Sequence, residues 1–222
     1  MRSIPSTGHH RAAAFRRTIL LGALLALIGA GCTPDMKARV YAGGDRDEWQ
    51  QKERVIAALA LQPGQSVVDL GAGGGYFTFD LADAVGPAGL VYAVDVDEEM
   101  NERLAGLADE RGYAQVQVVL AGTDDPRIPG DGVDLIFTSN TYHHIDDPER
   151  YFRDTARYLR PGGRLAVLDY RDEGLIQMIV GHATDGELIK EELGRAGYRL
   201  VAEHDFIEKQ HFLVFASGHS PQ

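Results

Sequence analysis

A chain of 222 residues, 44% of them hydrophobic, suits one domain of ordinary size with a single packed core, which excludes disorder over most of its length. The net charge is −11, and the first 31 residues hold four arginines and no acid, so the rest of the chain carries −15, a field that repels nucleic acid. Cys32 is the single cysteine, which excludes an internal disulfide.

The N-terminus reads as a separate object. Arg11, Arg16 and Arg17 precede "TILLGALLALIGAGC", an uncharged apolar run too short to span a bilayer comfortably and ending in small residues before Cys32. This is the layout of a bacterial signal peptide over 1–31. The placement of Cys32 after "LIGAG" resembles a lipobox, although Gly29 stands where such boxes usually carry Leu. The resemblance implies lipidation at Cys32 and an exported, membrane-anchored lipoprotein facing the periplasm, with Thr33 favouring the outer membrane. Residues 32–46 then read as the lipidation site and a polar tether, leaving a domain over 47–218.

From Asp47, "DEWQQKERVIAALAL" opens with acids suited to a helix N-terminus and sets Trp49, Val55, Ile56 and Leu59 near one face. A strand "SVVDL" follows, then a glycine loop and a helix through "YFTFDLADAV". The alternation continues with a strand at 90–96, a helix from Glu98 to Arg111, and strands at 116–122 and 133–139. A helix from Pro148 to Leu159, the turn "RPGG" and a strand at 164–170 complete it. Nearly all-apolar strands separated by helices predict a doubly wound, Rossmann-like α/β fold with a mostly parallel sheet covered on both faces. Thr184 and Glu187 have capping-box spacing at the start of a last helix. "RLVAEHDFI" and "HFLVFAS" are linked too closely for a crossover, so they predict a C-terminal antiparallel hairpin.

The loop after the first strand reads D-x-G-x-G-x-G from Asp69, through Gly71, Gly73 and Gly75. In an open parallel sheet this loop faces the ligand crevice, and glycines there let backbone approach a ligand. A dinucleotide fingerprint starting at Gly71 requires glycine where Tyr76 stands, and a phosphate-binding P-loop requires a following G-K-[ST]. Asp69 suits a ligand bearing an ammonium group better than a pyrophosphate, which it repels. Asp95, ending the second strand, has the place of an acceptor for ribose hydroxyls. Asp124 suits an adenine amino group or, alternatively, a turn before Pro126. Met100 is placed for adenine packing or for the core.

"VVDLGAGGGYF", "VYAVDVDEEM", "GTDDPRIP", "VDLIFTSNTYHHIDDP" and "LRPGGRLAVLDY" occur in the order and spacing of the class I S-adenosylmethionine-dependent methyltransferases. The chain resembles that family from about Trp49 to Phe215. The resemblance implies a seven-stranded sheet whose last strand lies antiparallel beside the fifth, and S-adenosylmethionine as cofactor. It also implies that Asp69, Gly71, Gly73, Gly75 and Tyr76 hold the methionine part. Asp95 and Val96 take the ribose side, and Thr123 and Asp124 the adenine edge with Met100; Asn140 lies at the reacting end.

Methyl transfer requires the acceptor in line with the methyl group, and a base only where the acceptor loses a proton. Tyr142, His143 and His144, after the fourth strand, are the candidate catalytic residues. They also suit a structural role anchoring the loop. His143, His144 and Asp146 lack a third ligand of suitable spacing, so no metal is expected. A single cysteine disfavours an arsenite-type enzyme, by resemblance to methyltransferases that use several. The reading is therefore transfer to a small-molecule or lipid-like acceptor. Its rivals are a non-catalytic, methyltransferase-like lipoprotein that binds a nucleoside-like ligand or a protein, and a nicotinamide-dependent oxidoreductase.

Overall fold

Runs in which both alternate positions are apolar produce strands with two buried faces. In the computed structural model such runs become β1 (Ser66–Leu70), β2 (Leu90–Asp95), β4 (Val133–Ser139) and β5 (Leu159–Tyr170), whereas the edge strand β3 (Val116–Leu120) leaves Gln117 and Leu120 exposed. β6 (Tyr198–His204) and β7 (Gln210–Ser217) form the C-terminal hairpin. The structure describes residues 46–171 and 184–218. The expected signal peptide, Cys32 and the tether before residue 46 lie outside the described residues.

The seven strands take the order β3-β2-β1-β4-β5-β7-β6. Strands β1 to β5 pair in parallel, and β7 runs antiparallel to both β5 and β6. Strand order reverses between β1 and β4, so the loops leaving those two strands part and open a crevice there. In register, Asp69 lies beside Ala93 of β2 and Phe137 of β4, at the edge of that crevice.

Helices cover both faces. Val67, Leu135, Phe137, Ala166 and Leu168 pack with α2 (Lys52–Leu59) and α3 (Thr78–Val85). Their alternates Val68, Leu70, Ile136, Leu165 and Val167 pack with α5 (Pro148–Thr155) and α6 (Gly186–Arg195). α4 (Glu98–Arg111) buries Met100, Leu104 and Ala108. It is capped by Asp97, whose side chain accepts the Met100 amide hydrogen, and it ends at Gly112 with φ +76°.

Local chemistry departs from the sequence expectation at three points. The helix expected from Asp47 breaks at Gln51, held at φ +53°, into α1 (Arg46–Gln50) and α2. Arg46, read as tether, is thus helical and buried. The "RPGG" turn is absorbed into β5 as a register shift between the Val133–Leu159 and Leu135–Arg164 pairs, and the helix before it stops at Thr155. The last helix is capped by Asp185, which accepts the Glu187 amide hydrogen at 2.8 Å, and not by Thr184.

Candidate active site

The crevice holds a cavity of about 650 Å³, within the usual range for small-ligand sites. Asp69, Gly71, Gly73 and Tyr76 line it from the loop after β1; Asp95, Val96 and Met100 line it from the β2 end. Thr123, Asp124, Asn140 and His144 continue the wall, joined by Arg46, and Asp146, Asp147, Arg150 and Tyr151 line it further along. Of the sequence-expected residues, Gly75, Tyr142 and His143 do not reach this cavity.

The loop geometry explains the glycines. Gly71 has φ +80°, and a Cβ there would stand 1.9 Å from Thr141 Oγ1, so only bare backbone fits between β1 and the loop after β4. Gly75 serves packing instead, since a Cβ there would meet Leu104 Cδ1 at 2.4 Å, and its lack of a side chain seats α4. Amides of this loop are largely committed within the protein. Gly71 and Ala72 donate to Val94 O, Gly75 to Ala72 O, and Gly73 to Asp95 Oδ2 at 2.7 Å.

Asp95 is held at both oxygens, since Oδ1 accepts the Asp97 amide hydrogen at 3.0 Å. Asp69 is 3% exposed and accepts a hydrogen bond from Thr78 Oγ1 at 2.6 Å. Burial pushes its carboxyl up to about 6, opposed by the Thr78 hydroxyl and the Arg46 charge.

A chain of buried polar side chains crosses the site from α1. Arg46 Nε donates to Gln50 Oε1 at 2.6 Å, Gln50 Nε2 to Gln210 Oε1 at 2.7 Å, and Gln210 Nε2 to Asn140 Oδ1. A guanidinium only donates, so Arg46 sets the direction of every amide after it. Asn140, at φ +56°, is thereby fixed with its oxygen toward Gln210.

His143 and Tyr142 face inward. His143 Nδ1 lies 2.7 Å from Asp169 Oδ1, its amide donates to Asp169 Oδ2, and its side chain is 4% exposed. Tyr142 stacks on Phe152 and donates from its hydroxyl to Glu192 Oε2 at 2.6 Å. Burial, and then that carboxylate, push its phenol well above the ordinary range. Both side chains anchor the loop, and His144 alone of the three lines the cavity.

A family described as a methyltransferase domain matches residues 61–205. The chain belongs to this methyltransferase family. It is 32% identical to an arsenite methyltransferase of Halobacterium salinarum over 63% of this chain and 35% of the relative. It is likewise 32% identical to the ubiquinone/menaquinone biosynthesis C-methyltransferase UbiE of Vibrio vulnificus, over 61% of this chain and 52% of the relative. The chain thus spans about half, or less, of the length of these curated relatives. The crystal structure of a SAM-dependent methyltransferase from Aquifex aeolicus superposes with a TM-score of 0.74 at 25% identity, covering 84% of this chain and 99% of that one.

The cofactor of the methyltransferase is S-adenosylmethionine. The donor set in the cavity fits it. A pyrophosphate is favoured by free loop amides and repelled by nearby carboxylates, whereas here four amides are already bonded and six carboxylates, those of Asp69, Asp95, Asp97, Asp124, Asp146 and Asp147, line the wall. Such a wall suits ammonium and hydroxyl groups. Sequence reasoning missed Arg46, which reaches the cavity through contacts to Ser139, 93 residues away. The one available signal was an arginine directly before a helix start.

Proposed function

We propose that this methyltransferase transfers a methyl group to a small-molecule or lipid-like acceptor at the surface of a bacterial envelope membrane, to which lipid on Cys32 tethers it. The observation that carries the reaction is the placement of Asp69 and Asp95 on one cavity, at the ends of adjacent strands and beside a loop of bare backbone. A relative named for ubiquinone and menaquinone biosynthesis supports a lipid-like acceptor. The apolar run before Cys32 supports the tether.

In this reading each Asp95 oxygen uses a second lone pair for a ribose hydroxyl, beyond its bond to Gly73 or Asp97. Asp69 faces the ammonium group, Thr123 and Asp124 the adenine edge, and Met100 and Val96 form the apolar wall. Bound there, S-adenosylmethionine supplies a methyl group on an electron-poor sulfonium sulfur. The protein's own contribution is to exclude water and to hold the acceptor in line between Tyr76, Asn140 and His144. Where the acceptor carries a proton on oxygen or nitrogen, His144 is placed to receive it, while Asp169 and His143 hold the loop that carries His144.

The test is transfer of tritium from methyl-labelled S-adenosylmethionine into an organic extract of envelope membranes, using the full chain. Label in the extract that disappears with Asp95→Ala supports the reading. Binding of S-adenosylhomocysteine without any transfer contradicts it and indicates a non-catalytic binding protein. Cys32→Ser moves the chain out of the membrane fraction if lipid is the anchor; an unchanged distribution excludes that anchor.

A further inference from the structure

The buried polar chain that starts at Arg46 has two branches, and both end on the cavity. One runs from Nε through Gln50 and Gln210 to Asn140 Oδ1; the other runs from Nη2 to Ser139 Oγ at 3.1 Å. A guanidinium has hydrogens and no lone pair to offer, so every group along either branch accepts on the Arg46 side and can donate only beyond it. Gln50 and Gln210 are fully buried, and their amides are locked in that sense.

Each branch therefore presents a donor at its end. Asn140 gives its oxygen to Gln210 and keeps two Nδ2 hydrogens, while Ser139 gives a lone pair to Arg46 and turns its hydroxyl hydrogen elsewhere. Both residues line the cavity, Ser139 at 9% exposed, and among the described residues no acceptor takes either donor. A donor left unmet on a nearly closed wall costs free energy unless a ligand meets it. Asn140 is also held firmly, at φ +56° with its own backbone amide bonded to Leu168 O at 2.8 Å.

The charge pattern of the cavity agrees. Asp95, Asp97 and Asp124 come from the ends of β2 and β3, on the far side of β1, whereas the end of β4 offers two donors backed by a cation. Hydrogen bonds in series polarise one another, so the Arg46 charge strengthens both donors. Two donors without an acceptor match an oxygen that carries negative charge. They do not match an amine, whose single lone pair is the one it attacks with.

We propose that Ser139 Oγ and Asn140 Nδ2 hold an oxyanion of the methyl acceptor, which makes that acceptor a phenol or an enol and not an amine. The inference rests on the proposed transfer to a small-molecule or lipid-like acceptor and names its chemical class. The acceptor's oxygen passes its proton to His144. The electron pair of the oxyanion then bonds to the methyl carbon, either at oxygen or through the conjugated carbon, which in that case releases its own proton to water. The carbon–sulfur bond breaks and its pair stays on sulfur. The two donors favour the ionised acceptor and hold it in line.

The test is tritium transfer from methyl-labelled S-adenosylmethionine into envelope membranes by the full chain, followed by acid hydrolysis and passage over a cation exchanger, which retains methylated amines. Label is expected to pass through. Asn140→Asp keeps an oxygen for Gln210 and replaces the donor by an acceptor; it is expected to lower transfer at least about tenfold while S-adenosylhomocysteine affinity stays within about threefold. Gln210→Glu cannot donate to Asn140, turns that amide around, and is expected to lower transfer in the same way. If Asn140→Asp does not fold, Ser139→Ala carries the test, with transfer reduced several-fold and cofactor affinity unchanged. Label retained on the exchanger overturns the inference, as does undiminished transfer in Asn140→Asp. An equal loss of S-adenosylhomocysteine affinity and transfer also overturns it and assigns the donors to the cofactor. No label in the membranes with the natural chain overturns the acceptor reading itself and this inference with it.

Discussion

Asp95 and Gly73 are joined by a 2.7 Å hydrogen bond from the glycine amide to Oδ2, so the acid proposed to hold the ribose also shapes the glycine loop. Two roles then fall on one side chain. Asp95→Ala is expected to weaken S-adenosylhomocysteine binding by about 1–3 kcal/mol, the range for hydrogen bonds to a charged group. Calorimetry measures this directly, and an unchanged affinity would place the ribose elsewhere.

Gly71 offers a test of the close approach between the loops after β1 and β4. Its φ is +80°, and an added Cβ would stand 1.9 Å from Thr141 Oγ1. Gly71→Ala is expected to destabilise the chain by about 1–3 kcal/mol through overpacking and by about 1 kcal/mol more through left-handed backbone. Urea denaturation reads the effect. A variant as stable as the natural chain would show that the loops do not meet as described.

Asp69 makes stability depend on pH. Its carboxyl rises from 3.8 to about 6 on folding because it is buried, so the folded chain holds the proton more tightly than the unfolded one. Stability from this group is therefore greatest below about pH 4 and is lost as pH rises through about 6, by about 3 kcal/mol in all. Asp69→Asn keeps an acceptor for Thr78 and removes the charge. It is expected to match the natural chain near pH 4 and to exceed its stability at pH 8, where thermal melts compare the two. Affinity for an ammonium-bearing ligand should move the other way, strengthening as Asp69 ionises.

The two neighbouring histidines separate by function. His143 is bound by its ring and its amide to Asp169, which is fully buried, so His143→Ala leaves buried groups without partners and is expected to cost about 1–3 kcal/mol of stability. His144→Ala is expected to leave the melting temperature nearly unchanged and to slow transfer to a proton-bearing acceptor by roughly 10²–10⁴-fold. Equal stability losses in both variants would remove the distinction.

The sheet was legible because most of its strands are short, mainly apolar runs such as "VDLIFTS" and "RLAVLDY" alternating with helical segments, a pattern that fits a doubly covered sheet. Asp69 and Asp95 were legible for the same reason: once the strands are placed, their ends are placed. Arg46 was not, because its position depends on Ser139, 93 residues away, and on a Gln50–Gln210 contact spanning 160 residues. Spacing also could not sort Tyr142, His143 and His144. They form a single 3₁₀ turn, in which consecutive side chains point about 120° apart, and only the packing of Phe152, Glu192 and Asp169 decides which face inward. The "RPGG" segment carries turn residues, yet pairing between β4 and β5 turns it into an irregularity within a strand.

The most direct measurement is a crystal structure of the chain grown with S-adenosylhomocysteine. An adenosyl group is expected against the backbone of residues 71–74, with both ribose hydroxyls within hydrogen-bond reach of Asp95. A cleft filled by the protein's own side chains, or a nucleoside bound elsewhere, would contradict it.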